Sequence, residues 1–245
     1  MDFSKIIEQV KPVLREKWLD YYQLNHHWIE TAKIHQGQGW NENIDGQDIS
    51  FYCPDSKFMI GVITALDKAA NGFINISTQL TGGCHFDRVV ENFGLKIDPS
   101  VVLKNREKSI SQISEAQEID VSMSEVNTDL LTIFNQVKSE LRKKWINYYI
   151  ANHDWIKLTE LYKGHRWNEV VEEKTVTLYC PHSFLLVGVA SGLDKRVAGL
   201  IYISTQLTGT CNLDRIAKGL GLVFDIESVL EERRRIIKER SRDTN

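Results

Sequence analysis

The residues of this chain best suited to chemistry come in matched pairs. Cys84 closes the run Ile-Ser-Thr-Gln-Leu-Thr-Gly-Gly-Cys at 76–84, and Cys211 closes Ile-Ser-Thr-Gln-Leu-Thr-Gly-Thr-Cys at 203–211. A cysteine becomes a nucleophile where a base lies within reach and its pKa is lowered. His26 and His153, present at matching places, are the histidines that could supply that base. Without such activation, Ser77, Gln79 and Cys84, and likewise Ser204, Gln206 and Cys211, would form a hydroxyl and amide pocket wall, one per copy. The bland alternative is that cysteines fill core space and hydroxyls satisfy carbonyls at a helix end.

Other chemistries lack their residues. The repeated run does not have the glycine spacing of a phosphate-binding loop. Neither Cys-x-x-Cys nor Cys-x-x-His occurs, and His85 is replaced by Asn212 in the second copy, so a duplicated zinc site is short of ligands. No two carboxylates have a spacing that demands acid–base work. The expectation is no catalytic group, no metal and no cofactor.

A second group of candidates is aromatic. Trp18, Tyr22, Asn25, His26 and Trp28 recur as Trp145, Tyr149, Asn152, His153 and Trp155. Aromatics spread this far around one helix fit either a central helix packed on several neighbours or a groove for a flat ligand or partner helix. In the groove reading, Asn25 and His26 would supply the polar contacts.

The pairing extends through the chain at one offset of 127 positions, without gaps: Leu14–Glu30 aligns with Leu141–Lys157, and Tyr52–Lys68 with Tyr179–Lys195. All six tryptophans and all four cysteines obey it. Searching for repeats first therefore divides the chain into two similar domains, 1–106 and 133–245, joined by an acidic, serine-rich linker at 107–132 that turns helical near Ser124.

Each copy should fold the same way. Apolar spacing predicts a long amphipathic helix at 4–34 and again at 131–161. Asp45-Gly46 signals a tight hairpin; the second copy lacks that glycine, so a different turn is expected there. Ser56 and Ser183 are the expected caps of a third element. Phe58, Val62, Ala65, Leu66, Ala69, Phe73, Ile76 and Leu80 trace that element as one unbroken helix, closed by Gly82 or Gly209. A short helix at 86–93 ends at Gly94, and Asp98-Pro99 starts another. The pairs Asp67-Lys68 and Asp194-Lys195, with Asp87-Arg88 and Asp214-Arg215, read as surface ion pairs or helix-end charges. The fold class is mainly α with a small β-hairpin per repeat, in two pseudo-symmetric tandem domains.

Composition bounds what remains. The 245 residues are 42% apolar and 26% charged with a net charge of −3, as for an ordinary globular protein. That charge gives no general reason to bind nucleic acid or anionic membrane. The basic segment 232–242 is interleaved with acids and sits at a helix end, so nucleic acid is disfavoured. No apolar run is long enough to span a membrane, and the N-terminus reads as amphipathic rather than as a signal peptide. A cytoplasmic location with reduced thiols is expected.

One resemblance adds context. The pattern Lys-Trp-x2-Tyr-Tyr-x2-Asn-x2-Trp-Ile (Lys17, Trp18, Asn25, Trp28, Ile29) is followed by Ser56, Gly61, Val62, Ala65, Leu66 and then Asp98-Pro99. Its second copy has Lys144, Trp145, Asn152, Trp155, Ile156, Ser183, Gly188, Val189, Leu193 and Asp225. The set resembles an uncharacterised domain-of-unknown-function family of cyanobacterial proteins. The Ser-Thr-Gln-Leu-Thr-Gly run departs from it, since that family more often carries a proline there. The resemblance implies a cyanobacterial setting and no catalytic residues. The reading reached from sequence is a non-enzymatic interaction or regulatory protein with two similar surfaces for a protein partner. It would be a monomer with pseudo-twofold repeats or a homodimer. The alternative is a small-molecule or chromophore sensor with an aromatic and polar pocket in each repeat.

Overall fold

The computed structural model describes residues 3–44, 47–81, 85–111, 130–171 and 174–243. Gly82, Cys84, the turn residues Asp45 and Gly46, and most of the linker, Ser124 included, lie outside them. The first repeat runs α1 (Phe3–Thr31), a 3-10 turn (Ile34–Gln36), β1 (Gln38–Ile44), β2 (Gln47–Cys53), α2 (Ser56–Leu66), α3 (Lys68–Thr81), α4 (Phe86–Asn92) and α5 (Pro99–Ser111). The second repeats that order as α6 (Leu130–Leu158), a 3-10 turn (Leu161–Lys163), β3 (His165–Val171), β4 (Lys174–Cys180), α7 (Ser183–Leu193), α8 (Lys195–Thr208), α9 (Leu213–Gly219) and α10 (Ile226–Asp243). The architecture is mainly α, with one antiparallel hairpin in each repeat.

The expected single helix over 58–80 is two. Asp67 and Asp194 adopt extended backbone, with φ −143° and −149°, and break it. The cause is local: Asp67 Oδ1 accepts the amide of Ala69 at 2.7 Å, and Asp194 Oδ1 accepts that of Arg196 at 3.1 Å, so each carboxylate starts a new helix. Their ammonium partners are Lys17 and Lys144, at 2.6 and 2.9 Å, rather than the lysines that follow them in sequence. The break also splits the apolar face, leaving Phe58 and Val62 buried and Ile76 half exposed.

The helix caps differ from expectation by one residue. Asp55 and His182 occupy the N-cap positions of α2 and α7, while Ser56 and Ser183 are the first helical residues. Asp98 caps α5 as expected, accepting the amides of Ser100 and Val101, and its other oxygen accepts the Tyr52 amide at 3.0 Å. Asp225 does the same for Ser228 and Tyr179. One aspartate per repeat thus starts the last helix and pins the hairpin to it. Both hairpins close across two residues, Ile44 pairing with Gln47 and Val171 with Lys174, so the loop length does not change where the glycine is missing.

The repeats share one core. α2 and α7 pack against each other and are buried on nearly every side, as a helix must be when neighbours surround it: the seven consecutive residues 58–64 are buried in α2 and 185–191 in α7, with Ser56 and Ser183 buried as well. They meet at glycines: a Cβ on Gly61 would lie 2.3 Å from Leu185 Cδ1, and one on Gly188 2.4 Å from Phe58 Cε2. Tyr21 of α1 donates to the Gly188 carbonyl and meets Ser191 Oγ at 2.8 Å; Tyr148 of α6 donates to the Gly61 carbonyl and meets Thr64 Oγ1 at 2.8 Å. The three residues of one bond set are the 127-offset counterparts of the other. The repeats are therefore related by a pseudo-twofold axis through the α2–α7 contact, with α1 against α8 and α6 against α3 on its two sides.

Candidate functional site: a cleft on the pseudo-twofold axis

Of the candidates on α1, Tyr22 and His26 border a hollow, while the tryptophans are core. Trp18, Trp28 and Trp155 are fully buried, and Tyr22, Trp145 and Tyr149 nearly so. Asn25 is the reason Trp28 can be buried. Its Oδ1 accepts the indole N–H at 2.7 Å while its Nδ2 donates to the Tyr21 carbonyl at 2.8 Å. Asn152 repeats both bonds for Trp155 and Tyr148 at the same distances. A buried indole N–H without an acceptor would cost about 1–3 kcal/mol, so this asparagine is architectural. Tyr22 meets Ser100 Oγ at 3.1 Å, and Tyr149 donates to Glu227 at 2.7 Å. His26 is exposed beside a shallow hollow of about 180 Å³ between α1 and α5, and His153 lies 3.3 Å from Glu227.

The polar-run candidates are scattered too. Ser77 and Gln79 lie on α3, and Gln79 Nε2 reaches Asp154 of the other repeat at 3.5 Å. Ser204 borders a hollow of about 190 Å³ with Phe134 and Arg215, whereas Gln206 is exposed. Gly209, at φ +66°, closes α8 as expected. Burial raises the Cys211 thiol pKa. It also pushes the buried Cys53 and Cys180 thiols up to about 11, a direction opposite to that of an activated nucleophile. Among the described residues, no group of three or more His, Cys, Asp or Glu is placed to hold a metal ion.

A further concavity was not visible in the linear sequence. A cleft of about 570 Å³ opens where the N-termini of α2 and α7 meet the two 3-10 turns. It lies on the pseudo-twofold axis, because the same positions of both repeats build it: Ala32 with Thr159, Ile34 with Leu161 and Lys33 with Glu160. Lys33 and Glu160 are the described non-glycine residues with positive φ, at 59° and 56°. That backbone costs on the order of 1 kcal/mol and is held at the same spot in both repeats. Beside them Gly37 and Gly164 let the hairpin root pass the following helix; a Cβ on either would lie 2.2 or 2.1 Å from the backbone nitrogen of Asp55 or His182.

The repeats diverge in this cleft. Asp55 faces the position of His182, and Lys57 that of Phe184. The Asp55 carboxylate is spent on α2, accepting the amides of Lys57 and Phe58 at 2.9 and 3.3 Å. His182 makes no side-chain cap. Its ring instead stacks on Phe184, with centroids 5.5 Å apart and planes 14° apart, and meets His165 edge-on at 5.6 Å. Burial, then His165 and Lys57, lower the pKa of His182. Glu160 is held by Lys163 at 2.6 Å.

Next to the cleft, His165, Ser183 and Asp214 come together without forming a catalytic relay. Ser183 Oγ lies 3.1 Å and Asp214 Oδ1 3.6 Å from the same ring nitrogen, Nε2, which also accepts the Ser183 amide. A relay needs the serine and the carboxylate on opposite nitrogens. In the first repeat Gln38, Ser56 and Asp87 hold the same places and bond to one another, which marks the group as a tie between the hairpin root and two helices.

The duplicated helix–hairpin–helix unit around a shared core defines the class: a tandem-repeat protein whose repeats form a pseudodimer. The chain belongs to the family of unknown function DUF5331, which matches it twice, over residues 4–125 and 131–245. No curated protein and no solved structure matches it. Among the described residues, no helix is long and apolar enough to cross a membrane.

Proposed function

We propose that the chain is a non-enzymatic interaction or regulatory protein that holds a protein partner with two similar surfaces, one on each repeat. The observation behind this reading is the pair of hairpins rooted on either side of the axial cleft. In the first, Ile44 and Ile49 share a face with Trp40 and Phe51 by register. The aromatics are half-buried at the base and stacked at 5.7 Å, while the two isoleucines are 41% and 39% exposed. In the second, Trp167 and Leu178 form the half-buried base, and Val176 stands 39% exposed on the same face. A two-stranded hairpin is marginal by itself, so projecting its apolar tips into water has no folding benefit to offset the exposure. Two such faces on one rigid body suit a bivalent grip, in which the second contact follows the first at high effective concentration. On this reading the protein works as a monomer in the cytoplasm of a cyanobacterium.

The test is affinity capture with the full chain from a cyanobacterial lysate, comparing wild type with Ile44→Ser/Ile49→Ser, Val176→Ser, and all three changes together. The reading expects a protein whose retention falls about 10²-fold or more for either single-arm variant and disappears for the triple variant. Equal capture by wild type and the triple variant, or no captured protein, would overturn it.

A further inference from the structure

The axial cleft goes beyond the two-arm reading, because it occurs once per chain. We propose that it is a binding site for one small organic anion with a planar apolar body, such as an aromatic carboxylate. Its volume of about 570 Å³ falls within the range of small-molecule sites. The apolar part of its wall comes from both repeats: Ile34 from the first, and Leu161, Phe184 and Leu213 from the second. Phe184, stacked on His182, offers a flat ledge that suits an offset-stacked ring.

The positive and hydrogen-bonding groups come from both repeats. Lys57 of the first repeat and His182 of the second both border the cleft, so a carboxylate between them would accept from the ammonium and from an imidazole N–H. The acids that line the cleft are already engaged: Asp55 caps α2 and Glu160 pairs with Lys163. Lys33 adds a further positive charge at the rim.

The divergence between the repeats carries the rest of the argument. A cleft on the axis of a perfectly symmetric pair would present Asp55 and Lys57 twice, in mirrored fashion, and would suit a symmetric ligand or none. Replacing one aspartate by His182 removes an acid from the cleft. Replacing one lysine by Phe184 supplies the ledge. Together these two differences break the twofold symmetry of the cleft's charges and add an aromatic surface to it.

The experiment titrates naphthalene-2-carboxylate, and separately the neutral naphthalene-2-carboxamide, into the nitrogen-15-labelled full chain and follows amide shifts. The proposal expects saturable one-to-one binding of the carboxylate. The perturbed amides should cluster at 32–37, 55–57, 159–161 and 182–184, and the carboxamide should bind at least tenfold more weakly. Lys57→Gln should weaken the carboxylate at least tenfold. The symmetrising variant His182→Asp/Phe184→Lys should abolish its binding, while retaining the fold because aspartate is a favoured N-cap. Shifts centred elsewhere, two equivalent sites per chain, no saturation, or equal affinity for acid and amide would overturn the proposal.

Discussion

At the α2–α7 contact the two repeats make the same bonds: Tyr21 reaches Gly188 and Ser191, and Tyr148 reaches Gly61 and Thr64, with hydroxyl distances that agree within 0.1 Å or better. At the N-termini of the same two helices the repeats differ in kind, aspartate against histidine and lysine against phenylalanine. The contrast has a physical basis. Where Gly61, Gly188 and the two tyrosine bond sets meet across the axis, a change on one side leaves a clash or an unpaired polar atom, so these positions stay matched even though neighbouring buried positions differ between the repeats, Phe58 against Leu185 and Ile63 against Ala190. Where the axis opens to water, that constraint is lifted and the two copies can specialise. The core therefore reports what the repeats build together, and the cleft reports where they have separated.

The largest expected effect strikes the matched region. Gly61→Val and Gly188→Val each drive a side chain into buried Leu185 or Phe58, and each should destabilise by about 3 kcal/mol in urea unfolding. Gly72→Ala, with open space around it in the interior of α3, should instead stabilise by about 0.5–1 kcal/mol. A strong effect at one interface glycine and none at the other would break the symmetry claimed for the core.

Acid unfolding sharpens the comparison at the next level. Arg196 and Lys144 hold the Asp194 carboxyl well below the usual carboxylate range, against the cost of its burial. For Asp67, burial opposes the shift, but Lys17 and the Ala69 amide outweigh it and also lower the pKa. A lowered folded pKa means stability that is present above the unfolded value near 4 and is lost as pH falls through the folded one. Both aspartates should therefore protect the fold at neutral pH and cease to do so at strongly acidic pH. Asp194→Asn should cost about 2 kcal/mol at pH 7 and Asp67→Asn about 1, since Asp67 lacks the arginine. Both differences should shrink as the pH falls below about 4, and that for Asp194 should persist to the lower pH. Equal costs for the two would count against Arg196 as the source of the difference.

Smaller again are Tyr21→Phe and Tyr148→Phe. Each removes a pair of inter-repeat bonds and should cost about 1 kcal/mol by chemical denaturation, with the two values equal within error. Unequal values would show that the bond sets are not equivalent.

Much of this was readable from the chain. The single 127-residue offset announced the duplication, the periodicity placed both long helices, and Asp98-Pro99 marked the start of α5. The break at Asp67 was missed because apolar spacing continued across it; the signal was an aspartate whose side chain competes with its own helix. The caps were displaced by one residue because Ser56 and Asp55 are both good caps, and only the geometry chooses between them. The aromatics of α1 gave no hint that α2, α5 and, from the other repeat, α7 would cover them, since a sequence does not state which surfaces face each other across a repeat boundary. The cleft was hidden for the same reason: its walls lie 127 positions apart. Its one trace was divergence on both sides of matched residues, Asp55 and Lys57 around Ser56 against His182 and Phe184 around Ser183.

The central claim is that both repeats fold as one unit around a shared core, and differential scanning calorimetry of the full chain tests it most directly. A shared core predicts a single endotherm whose calorimetric and van't Hoff enthalpies agree, and in Gly61→Val that whole endotherm should move to lower temperature. Two resolved endotherms, with Gly61→Val shifting only one of them, would contradict it.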